Sequence, residues 1–176
     1  MYYQVVRQFH KTLGNLDAIL SKAEAHAAAR KFSADNYLSL RLAPDMLPFL
    51  VQVRICCDTA KAAAAAFSGQ TAPKHEDVET TFGDLHNRIK LCRDYLDTLK
   101  ESDFSAMTAT TIVPIPYPPG AKMQAQEALI TRAIPNFYFH VTTAYDLLRK
   151  GGVDIGKSDY LGQLNIQLPP ANLATN

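Results

Sequence analysis

His140 is the residue of this chain best placed to do chemistry. It stands three positions after Phe137, four before Ala144 and seven before Leu147, so helical spacing puts its imidazole on the apolar side of the segment that carries it. An imidazole there can accept a hydrogen bond, move a proton or ligate a metal. Asn136 precedes it by one turn, and Gln52 shares a face with Asp45, Phe49 and Cys56 by the same rule. His140, Asn136, Gln52 and Asp45, with Tyr138 beside them in sequence, form the candidate ligand-binding set near one end of a group of helices. The competing reading is architectural: buried polar groups seek partners, and these side chains would then only bond one another across helices.

The remaining histidines offer less. His10 lies at the margin of an apolar stripe, four after Val6 and three before Leu13, and joins His140 as a metal candidate if their helices are neighbours. His26 and His86 fall on helix flanks and His75 at a helix start, where solvation is expected. His75 and Glu79 are four apart, with no third ligand in view. Cys56 and Cys57 are adjacent; their Cα atoms lie about 3.8 Å apart, below the roughly 4.4 Å lower edge of disulfide geometry. They and Cys92 are expected as reduced, buried thiols. The chain contains no C-x-x-C, no G-x-S-x-G elbow and no glycine-rich phosphate loop, which removes the common redox, hydrolase and nucleotide-binding signatures.

Four periodic segments must position these residues. Val6, Phe9, Leu13, Leu16, Leu20, Ala23 and Ala27 mark a helix over about residues 2–30. A second is expected from Pro44 to Gly69 on the stripe Met46, Phe49, Val53, Cys56, Ala60, Ala64 and Phe67, with proline opening it and glycine closing it. A third follows Pro73, with Glu76, Asp77 and Glu79 on its positive end and Val78, Phe82, Leu85, Ile89, Cys92, Leu96 and Leu99 on its stripe. The fourth runs over about 124–150, is closed by Gly151 and Gly152, and should kink at Pro135, which removes a backbone hydrogen bond. Four such helices predict an all-α four-helix bundle. Residues 102–123, rich in proline, are expected to connect the third and fourth helices as an edge strand or short hairpin. One domain over 1–165 is expected, followed by a C-terminal tail, 166–176; the stretch from Val153 to Asn176 shows no clear period and is expected to lie along the bundle or fray.

Composition narrows the function classes. The 176 residues are 47% hydrophobic, and 18 basic side chains face 17 acidic ones. A near-zero net charge lacks the basic footprint of a nucleic-acid binder. Without a secretory leader or an apolar run of about 18 residues, the expectation is a cytoplasmic protein with neither membrane nor nucleic-acid partner. Alanine-rich surfaces at 25–29 and 62–66 suit close approach of a second copy, so a homodimer is expected.

Particular strings add a resemblance. Arg41-Leu42-Ala43-Pro44-Asp45-Met46, Cys57-Asp58-Thr59-Ala60-Lys61, Pro135 through Tyr145 (PNFYFHVTTAY) and Gly156 through Gly162 (GKSDYLG) resemble the DinB/YfiT-like bundle superfamily, in a bacterial branch known only as a domain of unknown function. The resemblance spans about residues 1–165 and implies a four-helix bundle, often dimeric. It also implies, for better-known members, a divalent metal held by three histidines, one on the second helix and two spaced four apart on the fourth, which some use to activate a small thiol. Only His140 matches that set. Position 136 is Asn, position 144 is Ala, and residues 44–67 contain no histidine. Two functions therefore stand: a domain that binds a small ligand or partner without the full metal site, or a metal-dependent enzyme of thiol S-transferase or hydrolase type. In the second, zinc, nickel or iron would sit at an unorthodox site of His140 with His10, Asp45 or Gln52.

Overall fold

Apolar residues spaced by three and four can all leave water together only on one side of a helix, and that requirement shapes the chain. The computed structural model describes residues 1–167; most of the 166–176 tail lies outside the described residues. In α1 (Tyr2–Ala29), Val6, Phe9, Leu13, Leu16, Leu20, Ala23 and Ala27 are all buried. The same holds for Phe49, Val53, Cys56, Ala60, Ala64 and Phe67 in α2 (Phe49–Ser68). In α3 (Phe82–Thr98), Phe82, Leu85, Ile89, Cys92 and Leu96 are buried.

Two helix starts differ from expectation. α2 begins at Phe49, with Pro48 as its extended N-cap; Pro44 and Pro48 lack an N–H, and each bars the helical region to the residue before it. Residues 41–48 are therefore non-helical and Asp45 sits in an exposed turn. Gly69 closes the helix in a left-handed conformation, φ 71°, which glycine alone adopts without a steric cost.

α3 begins at Phe82 rather than after Pro73. Thr81 accepts a hydrogen bond from the Asp84 amide while the Asp84 carboxylate accepts from the amides of Thr80 and Thr81, a reciprocal cap that fixes the start. Residues 70–80 are irregular and Val78 is 72% exposed. Asp77 and Glu79 meet cations on neighbouring helices instead of serving a helix end, while the Glu76 carboxylate pairs with Lys74 of the same segment. Arg88, only 2% exposed, donates to Asp58 Oδ1 at 2.7 Å, Glu79 Oε1 at 2.8 Å and the Glu76 carbonyl at 2.9 Å. Arg54 Nε lies 2.9 Å from Glu79 Oε2, an ion pair without hydrogen-bond alignment.

After α3, strands β1 (Ile112–Pro114) and β2 (Lys122–Gln124) pair antiparallel, with Val113 opposite Met123. Then come α4 (Ala125–Glu127), a π-helical turn (Ala128–Ala133) and α5 (Ile134–Lys150). The interruption expected at Pro135 takes the form of this widened turn immediately before it: proline offers Thr131 no N–H and crowds its carbonyl, and a π turn relieves both. α2 packs against α5, α3 and α1, and α1 against α3 and α5. The Phe9 and Phe137 rings stack with centroids 4.2 Å apart at the α1–α5 contact. A short α6 (Lys157–Leu161) returns to α1, held by Lys22–Asp159 at 2.6 Å and by Asn15 donating to the Tyr160 carbonyl at 3.0 Å. The fold is thus mostly helical. Among the described residues no helix is long and apolar enough to cross a membrane.

Candidate functional site

His140 is buried on α5, as its place on the stripe requires. Its Nδ1 lies 2.6 Å from Gln52 Oε1, and Gln52 Nε2 donates to the Leu47 carbonyl at 2.8 Å. The Leu47 carbonyl can only accept, so it turns the amide with its oxygen toward the ring. His140 Nδ1–H must then donate, which leaves Nε2 as an unprotonated acceptor. Burial pushes the His140 pKa below the ordinary imidazole value, keeping the ring neutral near pH 7. Nε2 has no hydrogen-bond partner among the described residues, and His140 lines a cavity of about 430 Å³. That size falls within the roughly 300–1,000 Å³ of small-molecule sites.

The cavity lies between α2, the start of the β-hairpin, the π turn and α5. Its walls are apolar for the most part: Ala62, Ala66 and Phe67 from α2, Val113 and Ile115 from the hairpin, Ala128 from the π turn. Polar groups line it at a few points. Asn136 donates to Thr59 Oγ1 at 2.7 Å. Asp58 accepts from Arg88 and pairs with Lys61 at 3.2 Å. Arg132 lines the wall and forms no ion pair or side-chain hydrogen bond among the described residues.

The five expected binding residues fare differently. Gln52 and His140 meet directly, with Gln52 behind the imidazole rather than on the cavity wall. Asn136 lines the cavity but is exposed at its edge instead of lying in the core, and it pairs with Thr59, not with His140. Asp45 is off α2 altogether, because the helix starts four residues later. Tyr138 points the other way, its ring 6.3 Å from Phe9 and 5.2 Å from Phe137.

Three of the other histidines are engaged elsewhere; His75 lies in the irregular 70–80 segment rather than at a helix start, with a buried Nδ1 that has no hydrogen-bond partner among the described residues. His10 bonds Asp97 at 2.9 Å on α3; Phe9 is the α1 residue that faces α5, so His10 and His140 do not meet. His26 bonds the Tyr37 hydroxyl at 2.6 Å, and His86 bridges Asp17 at 2.6 Å and Glu24 at 3.1 Å. Both are paired rather than solvated. Among the described residues no three His, Cys, Asp or Glu side chains converge as a metal site would need.

This helical frame with an inward histidine on its last long helix can be compared with known families. A family model described as a domain of unknown function, DUF1993, matches residues 1–161. The chain belongs to that family. Among solved structures the DUF1993 chain is similar to a DinB family member protein from Shewanella denitrificans, at 47% identity over 93% of each chain with a TM-score of 0.86. No curated protein matches it.

Arg132, Thr59, Asp58 and Lys61 are cavity residues of this DUF1993 chain that spacing had not singled out. One signal was available: Arg132, Asn136 and His140 recur every four residues, which lays them along one face of a helix. The hairpin wall carried no such signal, because it reaches the cavity only through the tertiary fold.

Proposed function

We propose that this DUF1993 protein is a single-domain four-helix bundle that binds a small, largely apolar molecule in the His140 cavity, without a metal. The observation that carries the reading is the pinned imidazole. Gln52, itself held by Leu47, commits one ring nitrogen and leaves the other as a neutral acceptor beside an apolar-walled space. Orienting polar groups of this kind, few and fixed within an apolar lining, are how small-molecule sites gain specificity.

The three-histidine metal of DinB-like relatives does not fit the donors here. A catalytic metal takes three protein ligands, whereas His140 is the lone imidazole of the cavity. The Asp58 carboxylate is already shared between Arg88 and Lys61, and amides such as Asn136 are weak substitutes for imidazole.

Two further parts of the proposal rest on separate features. The three free cysteines are buried, which suits a reducing cytoplasm. Self-association is proposed at the C-terminal end of α1, where Ala25, Ala28 and Ala29 are exposed; Ala63, Ala64 and Ala65 are buried within the chain and give a second copy no purchase.

The test uses protein purified without a histidine tag. Fluorescence titration with the neutral dye N-phenyl-1-naphthylamine should saturate at one dye per chain, and elemental analysis should find zinc, nickel and iron far below one per chain. Stoichiometric metal that disappears in His140→Ala would overturn the metal-free reading.

A further inference from the structure

The charges around the cavity do not cancel. Asp58 Oδ1 is 2.7 Å from Arg88 and 3.2 Å from Lys61, so the one carboxylate on the wall is already matched, and Lys61 has its counter-ion. Arg132 has none: no carboxylate lies within ion-pair distance of it among the described residues, and its guanidinium donates to no protein acceptor there, yet it lines a largely apolar space. A guanidinium presents paired N–H donors that match a carboxylate, and Arg132, half-buried on the wall, has its donors uncommitted to protein acceptors among the described residues.

The neighbours of Arg132 fit the same ligand. Asn136, one turn on, lines the cavity with it. Thr59 Oγ1 accepts the Asn136 amide at 2.7 Å, which leaves the Thr59 hydroxyl proton free to donate. The cavity edge therefore offers Arg132, Thr59 and the second Asn136 N–H, all of them donors, while the apolar depth between α2 and the hairpin accepts a hydrocarbon body.

We propose that the cavity selects small apolar monoanions, carboxylates above all, with Arg132 as the residue that recognises the anionic group. This rests on the cavity being a ligand site, and the test separates the two claims. N-phenyl-1-naphthylamine fills the cavity of the full chain, and decanoate and decan-1-ol, equal in hydrocarbon length, compete for it. Decanoate should displace the dye at a concentration about tenfold lower than decanol, as a charge-assisted hydrogen bond supplies. In Arg132→Gln that ratio should fall toward one with dye binding retained, and Arg132→Lys, which keeps the charge, should restore part of it. Circular dichroism confirms that each variant is folded. Equal displacement by the two competitors, or a ratio that Arg132→Gln leaves unchanged, overturns anion selection and leaves the ligand site standing. Failure of the dye to bind the unaltered protein overturns the ligand site itself, and this inference with it.

Discussion

At the scale of single residues, the Gln52–His140 pair is the most consequential contact in the molecule. Its members come from α2 and α5, 88 positions apart, and each would be an unsatisfied buried group without the other. Gln52→Leu strands both the His140 Nδ1–H and the Leu47 carbonyl, so urea unfolding should show a loss of about 1–3 kcal/mol. The double change Gln52→Leu with His140→Phe removes both polar partners and should recover much of that loss. An additive double variant would mean the two side chains do not depend on each other. The same pair sets a pH dependence. Burial lowers the His140 pKa in the folded state, so as pH falls through the ordinary imidazole value near 6.5 the unfolded chain takes up the proton first. Stability is therefore full above that value and lost as the solution is acidified. His10 and His75 are shifted the same way, chiefly by burial, so His140 has to be isolated by comparison. Between pH 7 and pH 5 the unaltered protein should lose more stability than His140→Gln does; parallel curves would contradict a buried neutral imidazole.

At the scale of elements, two attachments hold the frame around the cavity. The first is the ion-pair group that ties the irregular 70–81 connection to α2 and α3. Arg88 is its centre, bonded to Asp58 and Glu79, and Glu79 is itself only 6% exposed. Breaking a buried pair costs more than forming it gains, because a desolvated charge is left behind. Arg88→Leu should destabilise by about 3 kcal/mol, moderated by Arg54, which still reaches Glu79. The same substitution leaves Asp58, beside the cavity, paired with Lys61 alone. The second attachment is the turn after α6. Gly162 has φ 63° and ψ −162°, a conformation essentially confined to glycine, and a Cβ there would collide with the Asn15 side-chain amide. Gly162→Ala should cost about 1–3 kcal/mol in thermal or denaturant unfolding. A neutral result would mean α6 contributes nothing to the stability of α1.

Across the whole molecule, the helical stripes were legible because a period near 3.6 is imposed by the exclusion of water. The apolar residues that spacing assigned inward on α1, α3 and α5 are the ones the fold buries, Val78 excepted. The helix starts were less legible. Pro44 read as a helix opener, yet Pro44 and Pro48 each disfavour the helical region for the residue before them, and 41–48 forms bends and turns; the acidic run at 76–79 read as the first turns of a helix, yet Asp77 and Glu79 pair with Arg54 of α2 and Arg88 of α3. Of the candidate site, His140 and Gln52 followed from spacing. The cavity beside them did not, since its walls are alanines of α2 facing a proline-rich hairpin, and small side chains read equally well as tight packing. Ala62 and Ala66 matter here through the volume they leave empty. Self-association belongs to this scale too: sedimentation at micromolar concentration should show a dimer, and a monomer alone would remove the α1 surface from the account.

That empty volume permits the most direct test. Ala62→Phe puts a ring into the space beside His140 without touching the Gln52 hydrogen bonds or the ion pairs of Arg88. Titrated side by side with N-phenyl-1-naphthylamine, the unaltered protein should bind one dye per chain and Ala62→Phe, folded by circular dichroism, should lose at least about tenfold in affinity. Equal binding by the two proteins would place the dye elsewhere and contradict the cavity as the ligand site.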